Sequence, residues 1–192
     1  MRTLLITGFD PFGGETINPA WEAVKLLPDR IADFRLCKLR IPTIFGKAAE
    51  EVLKAAANEK PDIILCIGQA GGREAVTPER IAVNIRDARI PDNAGRMPQG
   101  AFVIEGAPAA YFATVPVKQM TEAILRKGIP GKVSNTAGTF VCNETLYRLL
   151  NHYEGTRTRV GFIHVPYLPE QGTPSLPMEQ TTTALQAAIE SL

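Results

Sequence analysis

A thiol, an imidazole and a carboxylate held together can carry out covalent acyl transfer without a cofactor. The chain offers only three cysteines and two histidines, so the search for such a set is short. Cys142 follows the turn-like Ala137-Gly138-Thr139. It precedes Leu146, Leu149, Leu150 and Tyr153, whose offsets predict a helix with one buried face that Gly155 stops. The thiol therefore falls in a first helical turn, where unpaired N–H groups and the helix dipole favour thiolate. Against this stands the fact that a lone cysteine is more often a small core hydrophobe. His164 ends the apolar run Val160-Gly161-Phe162-Ile163 and precedes Val165-Pro166, which puts it at a strand's C-terminal end. That edge holds the ligand crevice of open α/β sheets, although a core histidine bonded to backbone fits the same pattern. Glu79 sits at the entrance to the apolar Ile81-Ala82-Val83 and is the best candidate to orient an imidazole. A salt bridge to Arg80 or Arg89 would explain it equally well.

The remaining chemistry-bearing residues have plainer readings. His152 lies late in the Cys142 helix and takes no role, and Cys66 and Cys37 sit inside apolar strands as core residues. No histidine or cysteine pair has metal-ligand spacing, and no glycine-rich phosphate motif is present, so neither a metal nor a cofactor is expected.

The elements that must position these groups alternate. Thr3 to Gly8 reads as a strand, and Phe9 to Gly14 as a loop with two aromatic residues. Asn18-Pro19 then starts a helix that carries Trp21, Val24 and Leu27 and stops at Pro28. Phe34 to Ile41 reads as a strand, and Phe45, Ala48, Ala49, Val52 and Ala56 mark a helix face. Asp62 to Gly68 reads as a strand covered on both faces. Between Gly71 and Tyr111 only Ile81 to Ile85 reads as a strand, inside loops whose length implies function. Alternation resumes with a strand from Tyr111 to Val115, a helix from Val117 to Lys127 and a short strand at Lys132-Val133-Ser134. The Cys142 helix, the Val160 strand and a closing helix follow; the last turns Met178, Leu185, Ala188, Ile189 and Leu192 inward. The expectation is a single α/β domain over residues 1–192, three layers deep, with a mostly parallel twisted sheet and helices on both faces.

Composition narrows the partners. With 45% hydrophobic and 21% charged residues the chain is ordinary for a globular protein, and a formal net charge of +1 argues against nucleic acid or a membrane surface as partner. The first residues read as a strand rather than a signal peptide, and no apolar run reaches the roughly 20 residues that span a bilayer. An odd number of cysteines without paired spacing points to a reducing compartment, so a cytoplasmic location is expected.

Six ordered segments then carry a resemblance over nearly the whole length. They are T-G-F-D-P-F-G-G at 7–14 with Asn18-Pro19 behind it, G-Q-A-G-G-R at 68–73, and E-R-I-A-V-N-I-R-D-A-R-I-P-D-N at 79–93. Y-F-A-T-V-P-V-K at 111–118, S-N-T-A-G-T-F-V-C-N at 134–143 and F-I-H-V-P-Y-L-P at 162–169 complete the set. The chain resembles pyroglutamyl peptidase I, or pyrrolidone carboxyl peptidase, of the C15 cysteine peptidases. The resemblance implies a thiol hydrolase that removes N-terminal pyroglutamyl residues from peptides through a thioester acyl-enzyme. Cys142 would be the nucleophile, His164 the general base and acid, and Glu79 the group that orients it. It further implies a pocket of Phe9, Phe12, Gln69, Arg89, Ile90, Phe140 and Val141, peptides with N-terminal pyroglutamate as partners, and a homo-oligomer, often a tetramer. The segment Glu170 to Pro177 is short for the family, which bears on that loop and the subunit contacts. A glutamine-amidotransferase-like enzyme also uses Cys, His and Glu, but it would show a Gly-x-Cys-x-Gly elbow that Phe140-Val141-Cys142-Asn143-Glu144 lacks. A nucleosidase on a layered α/β scaffold would not need Cys142, and a binding module for modified N-termini would bind without turnover.

Overall fold

The computed structural model describes residues 1–192. The elements run β1 (Arg2–Phe9), α1 (Pro19–Leu26), β2 (Arg30–Ile31), β3 (Phe34–Ile41), α2 (Lys47–Glu59), β4 (Ile63–Gln69), β5 (Thr77–Pro78), β6 (Ile81–Val83), β7 (Ala110–Phe112), α3 (Val117–Arg126), α4 (Val141–His152), β8 (Arg159–Val165) and α5 (Met178–Glu190). Six strands form a mixed sheet in the order β2-β3-β1-β4-β8-β5, while β6 and β7 make a separate ribbon. The β1–β3, β1–β4 and β4–β8 pairs are parallel; β2–β3 and β5–β8, at the two edges, are antiparallel.

The strand period of two divides the interior. Leu4, Ile6, Ile63, Leu65, Ile67, Ile163 and Val165 join residues of α1, α3 and α5 in one apolar cluster. Leu5, Phe9, Ile64, Cys66, Val160 and Phe162 join α2 and α4 in a second. α1 begins as its residues dictate: Pro19 takes the first helical position and the Asn18 Oδ1 accepts the Ala20 N–H at 3.0 Å. Gly8 permits α1 to lie directly on β1, because a Cβ there would stand 2.5 Å from the Trp21 Cα.

The middle of the chain departs from the expected strands. Only Ile81 to Val83 pairs, with Ala110 to Phe112, and the Ile85 N–H turns back to the Val83 carbonyl, which ends the ribbon. The expected strand to Val115 is therefore three residues long and lies outside the main sheet. In place of the expected Lys132-Val133-Ser134 strand there are two isolated bridges, Gly131 to Val76 and Ser134 to Glu79. The loops between are nonetheless tied down. Asn84 bonds to Ile104 and Ala107, and the Asp92 carboxylate accepts N–H groups of Phe45, Ala94 and Arg96. The unexpected β5 contains a proline, which an edge strand tolerates.

Candidate active site

Register brings the chemistry together. Gly68 and His164 are neighbours on β4 and β8, so their side-chain directions share one face, and Cys66 and Phe162 lie on that face two residues earlier. A Cβ added to Gly68 would stand 3.0 Å from the Cys142 Sγ, so the thiol sits over the glycine beside His164. On the far side of β8, Thr77 pairs with His164, and the Glu79 N–H donates to the Phe162 carbonyl. That antiparallel register carries the Glu79 side chain to the imidazole. The His164 Nδ1 lies 2.7 Å from the Glu79 Oε1, with Glu79 fully buried and His164 3% exposed.

Electrostatics set the proton positions. Burial alone would raise the Glu79 carboxyl, but the His164 bond and charge and the nearby Arg73 outweigh it and hold its pKa below the ordinary range. An ionised carboxylate only accepts, so Nδ1 carries the proton and Nε2 is left with its lone pair. Burial pushes the imidazole down against the pull of Glu79, which favours its neutral form. Burial and then the Glu79 charge push the Cys142 thiol well up; Arg73 and the residue's own backbone N–H oppose this more weakly. These shifts run against the expectation of a thiolate stabilised by the helix terminus: burial and the Glu79 charge move the thiol, and burial moves the imidazole, toward their neutral forms.

The helix terminus keeps another use. Phe140 gives α4 no side-chain cap, and the Val141, Cys142 and Asn143 N–H groups have no backbone acceptor. The start of α4 is pinned by its polar residues: Asn143 bonds the Val83 N–H and the Val83 and Ile85 carbonyls, and Glu144 accepts the Gly46 N–H at 2.6 Å.

A cleft of about 450 Å³ opens onto Cys142 and His164, and of the expected pocket residues Phe9, Phe12, Gln69, Arg89, Ile90 and Phe140 line it. Phe140 is braced between Phe12, with centroids 6.0 Å apart, and Phe45, at 5.3 Å edge to face. Val141 differs from the expectation. As the first residue of α4 it turns its side chain into the core and is absent from the cleft wall. No metal-binding cluster of His, Cys, Asp or Glu occurs.

Sequence reasoning missed Arg73. Neither Arg80 nor Arg89 pairs with Glu79: Arg80 bonds Asn135, and Arg89 stands in the cleft wall. The partner is Arg73, whose Nη1 lies 2.6 Å from the Glu79 Oε1 and also bonds Thr77, while Nη2 donates to the Thr136 carbonyl. Its position at the end of G-Q-A-G-G-R, in a loop beside a strand's C-terminal end, was the available signal.

Known proteins match the chain in sequence and in fold. A family profile described as pyroglutamyl peptidase matches residues 2–192. The chain is 52% identical over 196 residues to the pyrrolidone-carboxylate peptidase of Levilactobacillus brevis, covering 98% of this chain and 96% of that one. It is 50% identical over 197 residues to the corresponding protein of Staphylococcus saprophyticus, covering 98% and 92%. Among solved structures, pyroglutamyl peptidase I of Bacillus amyloliquefaciens superposes with a TM-score of 0.96 at 46% identity, covering 100% of this chain and 96% of that one. The pyrrolidone carboxyl peptidase of Thermococcus litoralis gives 0.95 at 36% identity, covering 100% and 93%. With a full-length match to the family and relatives at half identity, the chain belongs to the pyroglutamyl peptidases.

Proposed function

We propose that this protein is a cysteine peptidase that hydrolyses the bond after an N-terminal pyroglutamyl residue, with Cys142, His164 and Glu79 as its catalytic residues. The observation that carries the reading is the buried Glu79–His164 bond of 2.7 Å placed next to a thiol at the floor of a partly aromatic cleft. Pyroglutamate is a flat, neutral lactam without an ammonium group, so apolar walls and a few hydrogen bonds must recognise it. Phe9, Phe12, Ile90 and Phe140 supply the walls, with Gln69 and Arg89 as polar contacts.

The reaction runs in two halves. The Cys142 Sγ attacks the pyroglutamyl carbonyl carbon as its proton passes to the His164 Nε2, and the Cys142 backbone N–H receives the oxyanion, with Arg89 in reach of the same cleft. Collapse breaks the C–N bond, and the imidazolium protonates the departing amine. Water then attacks the thioester, giving its proton to His164. The C–S bond breaks, pyroglutamic acid leaves, and the proton returns to sulfur. Glu79 stays ionised throughout; it holds the tautomer and stabilises the imidazolium, as the carboxylate does in other triads. With thiol and imidazole both shifted toward their neutral forms, His164 acts as the base during attack.

The two apolar clusters support one three-layer domain over residues 1–192, with α1, α3 and α5 on one side and α2 and α4 on the other. No helix is long and apolar enough to cross a membrane. The unpaired cysteines favour a cytoplasmic setting, and the exposed Phe102 and Phe112 fit burial in a homotetramer. The function is tested by release of arylamine from a pyroglutamyl-arylamide against a matched prolyl-arylamide. Turnover is expected only with the lactam, and Cys142→Ala should abolish it. Turnover at the wild-type rate by that variant would refute the assignment.

A further inference from the structure

The amide of Gln69 has two faces to offer the cleft, an acceptor or a donor, and a residue 102 positions away decides which. Gln171 lies in the short loop after Pro169. Its Oε1 is 3.1 Å from the Leu168 N–H, a group that can only donate. Its Nε2 is 3.2 Å from the Glu15 Oε2 and 3.4 Å from the Ile17 carbonyl oxygen, both acceptors. The orientation of Gln171 is thus dictated by backbone and carboxylate and admits no flip. The same Nε2 stands 3.3 Å from Gln69, so Gln69 must present Oε1 to it. The Gln69 Nε2 is left with no protein acceptor, on a residue 8% exposed in the cleft wall.

We infer that Gln171 is a positioning residue for substrate specificity: it locks the Gln69 amide so that the cleft presents an N–H donor that reads a carbonyl on the substrate ring. The inference rests on the proposed function, where that carbonyl is the lactam C=O. A prolyl ring has no such acceptor and would leave the donor of the nearly buried Gln69 unpaired. Selectivity of this kind, in which a buried polar group is left without its partner, discriminates strongly.

Gln171→Glu tests it, made in a Glu15→Gln background so that the new carboxylate has an amide donor rather than a second carboxylate beside it, with Glu15→Gln alone as the reference. A carboxylate keeps the Leu168 contact but can only accept, so Gln69 must turn its NH2 toward position 171 and show its oxygen to the cleft. At pH 8, where exposed carboxylates are ionised, KM for a pyroglutamyl-arylamide and the inhibition constant of 2-pyrrolidone should both rise about tenfold or more. At the same time kcat should stay within about threefold, because the catalytic residues are untouched. A smaller rise in either constant, or a loss confined to kcat, overturns the inference; a merely structural role for Gln171 would lower thermal stability without raising the 2-pyrrolidone constant. Should that variant fail to fold, Gln171→Met, which neither donates nor accepts strongly, frees the Gln69 amide. It should raise both constants, and unchanged constants overturn the inference. If the proposed function itself is wrong, the wild type neither cleaves the arylamide nor binds 2-pyrrolidone. If only this inference is wrong, the wild type does both and the variants match it.

Discussion

Gly68→Ala is the sharpest perturbation of the site, because it adds one methyl at the point where thiol, imidazole and core meet. The new Cβ would lie 2.8 Å from the Cε1 and Cζ of Phe162 and 3.0 Å from the Cys142 Sγ. Comfortable carbon contacts need about 3.5–4.0 Å, so something must move by about 0.5–1 Å. Phe162 has little room, being fully buried with its ring 4.7 Å from His164 and 6.1 Å from Phe9. Overpacking of this kind costs about 1–3 kcal/mol. At about 2–4 °C per kcal/mol for a chain of this length, the melting temperature should fall by about 2–12 °C. Displacing the nucleophile or the base by about 1 Å costs on the order of 100-fold in rate. Gly161→Ala is the control: its Cβ would stand 2.3 Å from the Val115 Cγ2, but residue 161 pairs with Leu65 and faces the other side of the sheet. It should lose comparable stability while keeping kcat/KM for a pyroglutamyl-arylamide within about threefold. The assay is melting temperature together with kcat/KM for both variants. Wild-type kcat/KM in Gly68→Ala, or an equal loss in Gly161→Ala, would show that the thiol does not depend on the missing Cβ.

Two further outcomes follow from the charges. Arg73→Met removes a bond to a fully buried carboxylate whose Oε2 already lacks a partner. The cost should be about 1–3 kcal/mol, toward the lower end because Arg73 is 25% exposed. Loss of that positive charge raises both Glu79 and His164, so the acid limb of the kcat/KM profile should move to higher pH; a limb that stays put or moves down refutes the coupling. Stability should depend on pH at both ends. The folded pKa values of Glu79 and His164 lie below their ordinary values, so their contribution is full above 6.5 and is lost as pH falls through the folded values. The three thiols are raised, Cys37 to about 11 and Cys66 to about 12, so their contribution is full below 9.0 and is lost as pH rises above it. Urea midpoints should therefore be highest between pH 6.5 and 9.0, and alkylation of Cys142 by iodoacetamide should keep accelerating beyond pH 9.0. An alkylation rate that is flat from acidic pH would mean a preformed thiolate and would refute the neutral resting pair.

What the chain order reveals and what it conceals divide along physical lines. β3 and most of the apolar face of α2 were legible because period and capping are local: Ala48, Ala49, Val52 and Ala56 are buried at helical spacing, whereas Phe45, read with them, is buried in the turn before the helix, and Asn18-Pro19 starts α1 where its chemistry demands. The edge strands β2 and β5, two residues each, carry no period to read, and β7 pairs in a ribbon that only the path of the intervening loop creates. At the site, Cys142 and His164 were legible as positions at element ends. The Arg73–Glu79 pair was not, because it depends on the path of the irregular loop that brings Arg73 back over β5, which has no period to read.

The acidity of Cys142 shows why position alone does not settle chemistry. A helix N-terminus favours an anion by about 0.3–1 kcal/mol at an exposed site and somewhat more when partly buried. Against that stand burial and the charge of the Glu79 carboxylate, and both act in the same direction. Burial can move a pKa by up to about 3–5 units, which is several kcal/mol, so tertiary structure overrides the local dipole. The consequence for mechanism is a division of labour within one helix. The free N–H groups at the start of α4 do little for the resting thiol. On the proposed mechanism they become effective when negative charge develops on the substrate oxygen, and stabilisation that appears only at that stage lowers the barrier rather than the ground state.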